Sequence, residues 1–130
     1  MIVDSSALIA VFFKEAGYET FARIIATTKG LRMSAATFLE TSILLDKYRK
    51  PELSMRLGSL IEEVGITVEP VTFEQARIAR EAYSYYGKGS GHAANLNYGD
   101  CFCYALARVQ REPLLYKGND FNHTDLQSVV

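Results

Sequence analysis

Tryptophan is absent from this 130-residue sequence, and only two cysteines and three prolines occur in it. Cys101 and Cys103 are too few and too closely spaced for a disulfide framework, and they form no CxxC metal or redox pair. We interpret both as reduced, small apolar residues, which agrees with a cytoplasmic location.

Long hydrophobic runs are also missing from the chain. No apolar stretch approaches the length that is needed to cross a bilayer. The short run Ala7–Phe13 follows Asp4 instead of a basic residue, so it does not resemble a secretory signal peptide. The sequence therefore predicts a cytoplasmic protein that has no membrane segment.

The chain also lacks an excess of charge of either sign. The formal net charge is −1, from 14 Lys and Arg against 15 Asp and Glu, so the chain is not an obviously basic nucleic-acid binder. If Asp4, Glu40, Asp100 and Asp120 formed one metal site, setting aside their four negative charges would leave +3 on the rest of the chain. This balance permits an RNA substrate but does not by itself indicate one.

Short apolar runs alternate along the chain with longer amphipathic ones, which is typical of strands that alternate with helices. Strands are predicted at Met1–Val3, Leu31–Met33, Ile66–Val68 and Leu114–Tyr116. Helices are predicted at Ala7–Phe13, at Gly17–Thr28, from Ser34 to a stop at Arg49–Pro51, at Glu52–Glu63, at Thr72–Tyr86 and at Tyr98–Arg111. A polar turn at Lys117–Asp120 and a short stretch ending in Val129 and Val130 complete the chain.

This alternation predicts an α/β fold, with a mostly parallel central sheet between two layers of helices (α/β/α). The predicted strands are short and almost uninterrupted in apolar character, as expected when both faces of a sheet are covered. Ligands of such sheets bind at the carboxyl ends of the strands. Chemically active residues are therefore expected at these ends.

Four acidic residues lie at or near such positions. Asp4 directly follows the first strand, Glu40 is an isolated charge early in an apolar helix, Asp100 opens the last helix, and Asp120 follows the last strand. Each also has a structural interpretation, as a helix cap, a solvated side chain, a partner of the helix dipole or a turn residue, respectively. The combination is more informative, because converging carboxylates raise one another's pKa values unless a cation binds them.

Mg²⁺ prefers a few carboxylates and several waters, so it is the expected cation, with Mn²⁺ as the alternative. We expect Asp4 and Asp100 to bind it directly, and Glu40 and Asp120 to bind it directly or through water. A second feature is the glycine-rich segment Gly87–His92, which lacks the order of a P-loop. Its Lys88 and His92 either contact RNA phosphates or belong to a simple surface loop.

Several segments of the chain together resemble PIN domains, especially the VapC-type toxins of bacterial toxin–antitoxin pairs. The resemblance covers the whole chain in order and spacing, with Glu40 at the start-of-helix position of the family's second acid. The other matching segments are Ile2–Ala10, Gly99–Ala107, Leu114–Phe121 and Thr124–Leu126.

The resemblance implies a single PIN-like nuclease domain over residues 1–130, in which Asp4, Glu40 and Asp100 are the metal-binding acids. It also implies that Ser6 is the small hydroxyl residue that supports them. Family members differ in whether the last acid aligns with position 119 or 120; we take Asp120 as the fourth catalytic acid and Asn119 as a polar helper.

The function implied by the resemblance is that of a Mg²⁺-dependent endoribonuclease, the toxin of a type II toxin–antitoxin system. Such an enzyme cleaves single-stranded RNA, is blocked by a cognate antitoxin protein and forms a homodimer. A phosphoacceptor domain would need an acidic pair after the first strand, and a haloacid-dehalogenase phosphatase needs a DxD order, but Ser5 and Ser6 follow Asp4. A non-catalytic RNA- or protein-binding domain of the same fold remains the alternative.

Overall fold

The computed structural model describes residues 1–129; Val130, the last residue of the predicted terminal stretch, lies outside the described residues. The strands are β1 (Ile2–Val3), β2 (Arg32–Ser34), β3 (Thr67–Glu69) and β4 (Leu114–Leu115). The helices are α1 (Ser5–Phe12), α2 (Tyr18–Thr27), α3 (Ala35–Asp46), α4 (Pro51–Val64), α5 (Phe73–Tyr86) and α6 (Tyr98–Gln110).

The four strands form one sheet in the order β3-β2-β1-β4, and all neighbouring strands are parallel. Ile2 of β1 lies opposite Arg32 of β2 on one side and Leu114 of β4 on the other. Because β1 is an inner strand, the residue that follows it lies at the middle of the carboxyl edge. The predicted α/β fold with a parallel sheet is confirmed.

Successive strand residues face opposite layers of the molecule, because side chains alternate across a strand. Ile2 and Leu114 belong to the core that the sheet shares with α5 and α6. Val3 and Leu115 belong to the core formed with α1, α2 and α4. Two cores on opposite faces give the predicted three-layer α/β/α arrangement.

The exact bounds of several elements differ from those predicted. Helix α1 begins at Ser5, two residues before the predicted start, because Asp4 caps it. Strand β3 is shifted one residue towards the carboxyl end, and its Thr67 and Val68 are exposed. Strand β3 is an edge strand that pairs with β2, and it is less covered than the inner strands of the sheet.

Helices α3 and α4 are separated close to Arg49–Pro51, where the first of them was predicted to stop. Ser34 accepts a hydrogen bond from the backbone N–H of Ala36 and thereby caps α3, which was predicted to start here. Pro51 occupies the first turn of α4, where a missing N–H costs nothing. Within residues 1–129, none of the helices has both the length and the apolar character needed to cross a membrane.

Candidate active site

Asp4 lies at the centre of the carboxyl edge and is almost completely buried, with 4% of its surface exposed. Its Oδ2 accepts hydrogen bonds from the backbone N–H of Ser6 at 3.0 Å and from the Ser6 hydroxyl at 2.6 Å. Its Oδ1 accepts from the Cys103 thiol, with the sulfur 3.0 Å away. Asp4 is therefore the N-cap of α1 and also a buried acid that α6 contacts.

Ser6 connects Asp4 with the opposite end of the chain. While its hydroxyl donates to Asp4, its Oγ accepts a hydrogen bond from the backbone N–H of Lys117 at 2.9 Å. Lys117 begins the turn that follows β4 and leads to Asp120. The predicted supporting hydroxyl thus lies next to Asp4 and fixes this turn against α1.

Glu40 points from α3 towards the first turns of α1 and α6. The Ser5 hydroxyl donates to its Oε1 at 2.9 Å. A Cβ atom on Gly99 would lie only 2.1 Å from Oε2, so the carboxylate occupies space that any other residue at position 99 would fill. Burial raises the pKa of Glu40; the Ser5 hydrogen bond opposes this shift, and the charge of Asp4 adds to it.

Asp100 lies in the first turn of α6, where it forms a capping box with Asn97. Its Oδ2 accepts from the backbone N–H of Asn97 at 3.0 Å, and its own N–H donates to Asn97 Oδ1 at 2.8 Å. Burial raises the pKa of Asp100 to about 7 against the opposing Asn97 hydrogen bond, and the charges of Asp4, Asp120 and Glu40 raise it further. The four acids, hereafter the acidic cluster, are therefore electrostatically coupled.

Asn119 and Asp120 occupy the exposed turn after β4. Asn119 Oδ1 accepts a hydrogen bond from the Asn122 side chain at 3.0 Å, so this amide stabilises its own turn. Asp120 instead acts on the cluster, since its negative charge contributes to the raised pKa of Asp100. Asp120 is therefore coupled to Asp100 by its charge, whereas the described contact of the Asn119 side chain is with Asn122.

Lys88 and His92 lie in the loop between α5 and α6. His92 Nδ1 accepts a hydrogen bond from the Ala94 N–H at 3.0 Å, and its ring packs against those of Tyr85 and Tyr86. Lys88 is exposed, and its backbone N–H donates to the carbonyl of Leu96. Across residues 1–129, no hydrogen bond or ion pair joins either side chain to the acidic cluster, and His92 serves to hold the loop.

The two cysteines are free and buried, as predicted. The interpretation of both as purely apolar is wrong for Cys103, because its thiol contacts Asp4. Sequence reasoning also missed Ser5, Asn97 and Gly99 as partners of the acids. The three-residue spacing of Asn97 and Asp100, which is typical of a capping box, is a signal that could have identified one of them.

The donor set of the acidic cluster fits Mg²⁺ or Mn²⁺. All four side chains offer carboxylate oxygens, which both ions prefer; burial raises the pKa values of Glu40 and Asp100, and the charges of neighbouring acids add to both shifts. Because Gly99 has no side chain, the Glu40 carboxylate fits beside the first turn of α6. In the described part of the chain, no three His, Cys, Asp or Glu side chains already form a group that could hold a metal ion.

The arrangement of acids at the edge of a parallel sheet can be compared with known proteins. Residues 1–126 match the PIN domain family. Ribonuclease VapC28 of Mycobacterium tuberculosis is 54% identical over 130 residues, which cover all of this chain and 98% of that protein. This chain is a PIN-domain protein of the VapC type. The family resemblance predicted from the sequence is confirmed.

Two solved structures share the fold at low sequence identity. The crystal structure of M. tuberculosis VapC20, described as a sarcin-ricin loop cleaving toxin, has a TM-score of 0.77 and 19% identity, and the match covers 98% of this chain and 97% of that one. A toxin–antitoxin complex from Klebsiella pneumoniae gives 0.71 and 17%, with 95% and 92% coverage. These two comparisons show the fold alone.

Proposed function

We propose that this VapC-type protein is a metal-dependent endoribonuclease of the cytoplasm, built as one nuclease domain, and that it is the toxin of a toxin–antitoxin pair. The observation that carries the proposal is the electrostatic coupling of Asp4, Glu40, Asp100 and Asp120 at the carboxyl edge of the sheet. The VapC ribonuclease that matches the whole chain at 54% identity supports the same activity.

Asp4, Glu40 and Asp100 would hold Mg²⁺ or Mn²⁺, and Asp120 would complete the acidic cluster. When bound, the ion supplies Lewis-acid activation of water and stabilises negative charge on the phosphodiester. The chain's own part is to orient the acids: the neighbouring serines position Asp4 and Glu40, and Asn97 positions Asp100. Since each of these donors is itself part of a helix start, the acids are held on rigid elements.

Hydrolysis of single-stranded RNA by the purified protein tests the proposal. We expect cleavage that requires Mg²⁺ or Mn²⁺ and that stops on addition of a chelator. Asp4→Asn should abolish it, because the cluster loses its most buried carboxylate. Asp46→Asn is the matched control, since Asp46 is an exposed acid near the end of α3 whose described partner is Ser54. Cleavage by Asp4→Asn at the wild-type rate would contradict the proposal.

A groove beside the acidic cluster suits the antitoxin that the proposal requires. It is mainly apolar and lies between α3 and α6, and exposed Leu39, Ile43 and Tyr98 line it together with Phe102. Glu40 lies at its edge. We therefore propose that the antitoxin places an amphipathic segment in this groove and directs an arginine to the acids, because a guanidinium pairs with carboxylates in a bidentate way.

Co-purification with the protein encoded next to this chain tests the antitoxin proposal. Asp4→Asn combined with Asp100→Asn should weaken the complex, while Asp46→Asn should not. If the double variant retained the partner as tightly as wild type, the arginine contact would be refuted. Loss of binding in Leu39→Asp would then show that the groove alone holds the partner.

A further inference from the structure

Cys103 is fully buried against the acidic cluster. Its sulfur lies 3.0 Å from Asp4 Oδ1 and 3.2 Å from the backbone carbonyl oxygen of Asp100. Both oxygens are therefore within hydrogen-bond distance of the thiol, which is a weak donor.

The thiol has one proton and two acceptors within reach. Hydrogen bonds to an ionised carboxylate are shorter and stronger than those to a neutral carbonyl, and the sulfur lies closer to Asp4 than to Asp100. Asp4 is thus the favoured acceptor. Its two oxygens then have different donors: Ser6 provides two bonds to Oδ2, and Cys103 provides the described bond to Oδ1.

We propose that Cys103 is a positioning residue that fixes the Asp4 carboxylate for binding of the divalent cation. This inference rests on the metal-dependent activity proposed for the cluster. A donor on each oxygen prevents the carboxylate from turning, and a residue that orients a metal ligand in this way contributes to affinity without touching the metal. Because a thiol is a weak donor, it can orient Oδ1 while leaving that oxygen basic enough to bind a cation.

Cys101 provides a matched control within the same helix. It is also buried, and its thiol donates to the backbone carbonyl of Asn97 with the sulfur 3.3 Å away. Its removal therefore takes the same volume from α6 without touching a donor of Asp4. If both cysteines had a purely structural role, Cys101→Ala and Cys103→Ala would change Mn²⁺ affinity to the same extent.

Calorimetric titration of the full chain with Mn²⁺ measures the effect on binding. We expect Cys103→Ala to bind Mn²⁺ about tenfold more weakly than wild type, the lower end of the range for residues that orient metal ligands. Cys103→Ser should bind close to wild type because its hydroxyl can donate to Asp4, and Cys101→Ala should be unchanged. Equal affinity of Cys103→Ala and wild type, or equal loss at both cysteines, would overturn the inference. Failure of wild type to bind Mn²⁺ would instead refute the proposed metal site.

The infrared S–H stretching band tests the contact without metal or RNA. The Cys103 band is assigned by its disappearance in Cys103→Ser, which keeps a polar group at this position. In Asp4→Asn, this band should move to higher frequency, because a neutral amide is a weaker acceptor than a carboxylate. An unchanged band would show that the thiol donates to the Asp100 carbonyl and would overturn the inference, whatever the outcome of the RNA cleavage assay.

Discussion

Asp4 and Asp100 each combine two roles that are usually assigned to different residues. Asp4 caps α1, Asp100 completes the capping box of α6, and both belong to the acidic cluster. The positive ends of the helix dipoles stabilise their negative charge. Capping therefore offsets part of the repulsion that a cluster of four acids creates, and the two interpretations of each residue are compatible.

The raised pKa of Asp100 predicts how the stability of the metal-free protein depends on pH. The folded state holds this proton up to about pH 7, whereas the unfolded chain releases it near the ordinary value of 3.8. Between these values the folded state binds more protons, so the free energy of unfolding must fall as pH rises. Glu40 contributes in the same direction.

Asp100→Asn should make this dependence shallower, leaving the part due to Glu40, and should stabilise the metal-free protein near pH 8 by on the order of 1–2 kcal/mol after allowance for solvent screening. Urea denaturation at about pH 5 and about pH 8 in the presence of a chelator measures it. Asp46→Asn should retain the wild-type dependence. An equally steep fall of stability in Asp100→Asn would show that the pKa of Asp100 is not raised.

Gly99→Ala should separate folding from activity. The added Cβ would lie 2.1 Å from Glu40 Oε2, so the flexible Glu40 side chain must leave its position. The helix itself should gain about 0.5–1 kcal/mol, because alanine has the higher helix propensity. We expect a melting temperature no lower than wild type, together with at least tenfold weaker RNA cleavage.

Gly58→Ala is the matched control for Gly99→Ala. Gly58 lies in α4, and a Cβ atom there would meet nothing within 4 Å. The Gly58→Ala substitution should stabilise α4 without any change in RNA cleavage. Full activity of Gly99→Ala would contradict the role assigned to the space beside Glu40.

The start of α6 is the element on which the site depends most. The loop before it is closed by a bridge between Gly87 and Leu96, and the next residue, Asn97, caps the helix. Asn97→Ala should destabilise the protein by about 1 kcal/mol and weaken Mn²⁺ binding, because Asp100 loses its reciprocal partner. Thermal melting and calorimetry measure the two effects.

Thr72→Ala tests whether a lost cap is sufficient to explain the loss of Mn²⁺ binding. Thr72 caps α5 by accepting a hydrogen bond from the N–H of Gln75, and it has no described contact with the acidic cluster. We expect a similar loss of stability with unchanged Mn²⁺ affinity. If both variants lost affinity alike, metal binding would depend on general stability and not on the capping box.

Local patterns were sufficient to predict the parts of the fold that depend on neighbouring residues. The starts of α3 and α5 were predicted at Ser34 and Thr72, within one residue of the observed starts, and both residues cap their helices. Residues that meet only in the folded chain were missed. The Cys103–Asp4 contact joins positions 99 apart and the Ser5–Glu40 contact joins positions 35 apart, and alternation of elements does not specify such pairs.

At the scale of the whole molecule, apolar side chains on α3, on α4 and in the turn between them predict self-association. Phe38, Tyr48 and Met55 expose 37%, 56% and 71% of their surface. A two-fold contact between copies would bury them symmetrically. We therefore predict a homodimer in solution, measured by light scattering at high micromolar concentration. Tyr48→Glu should shift it towards monomer; a monomer in wild type would contradict the prediction.

The contact between Ser6 and Lys117 has a consequence for the order of events during folding. It joins positions 111 residues apart, and β1 acquires its second neighbour only when β4 is present. Until β4 and Lys117 have joined the fold, Ser6 Oγ therefore lacks the backbone N–H that donates to it, and β1 has an open edge beside Asp4. The edge that carries the acids is thus complete only when the last strand of the sheet has folded against the first.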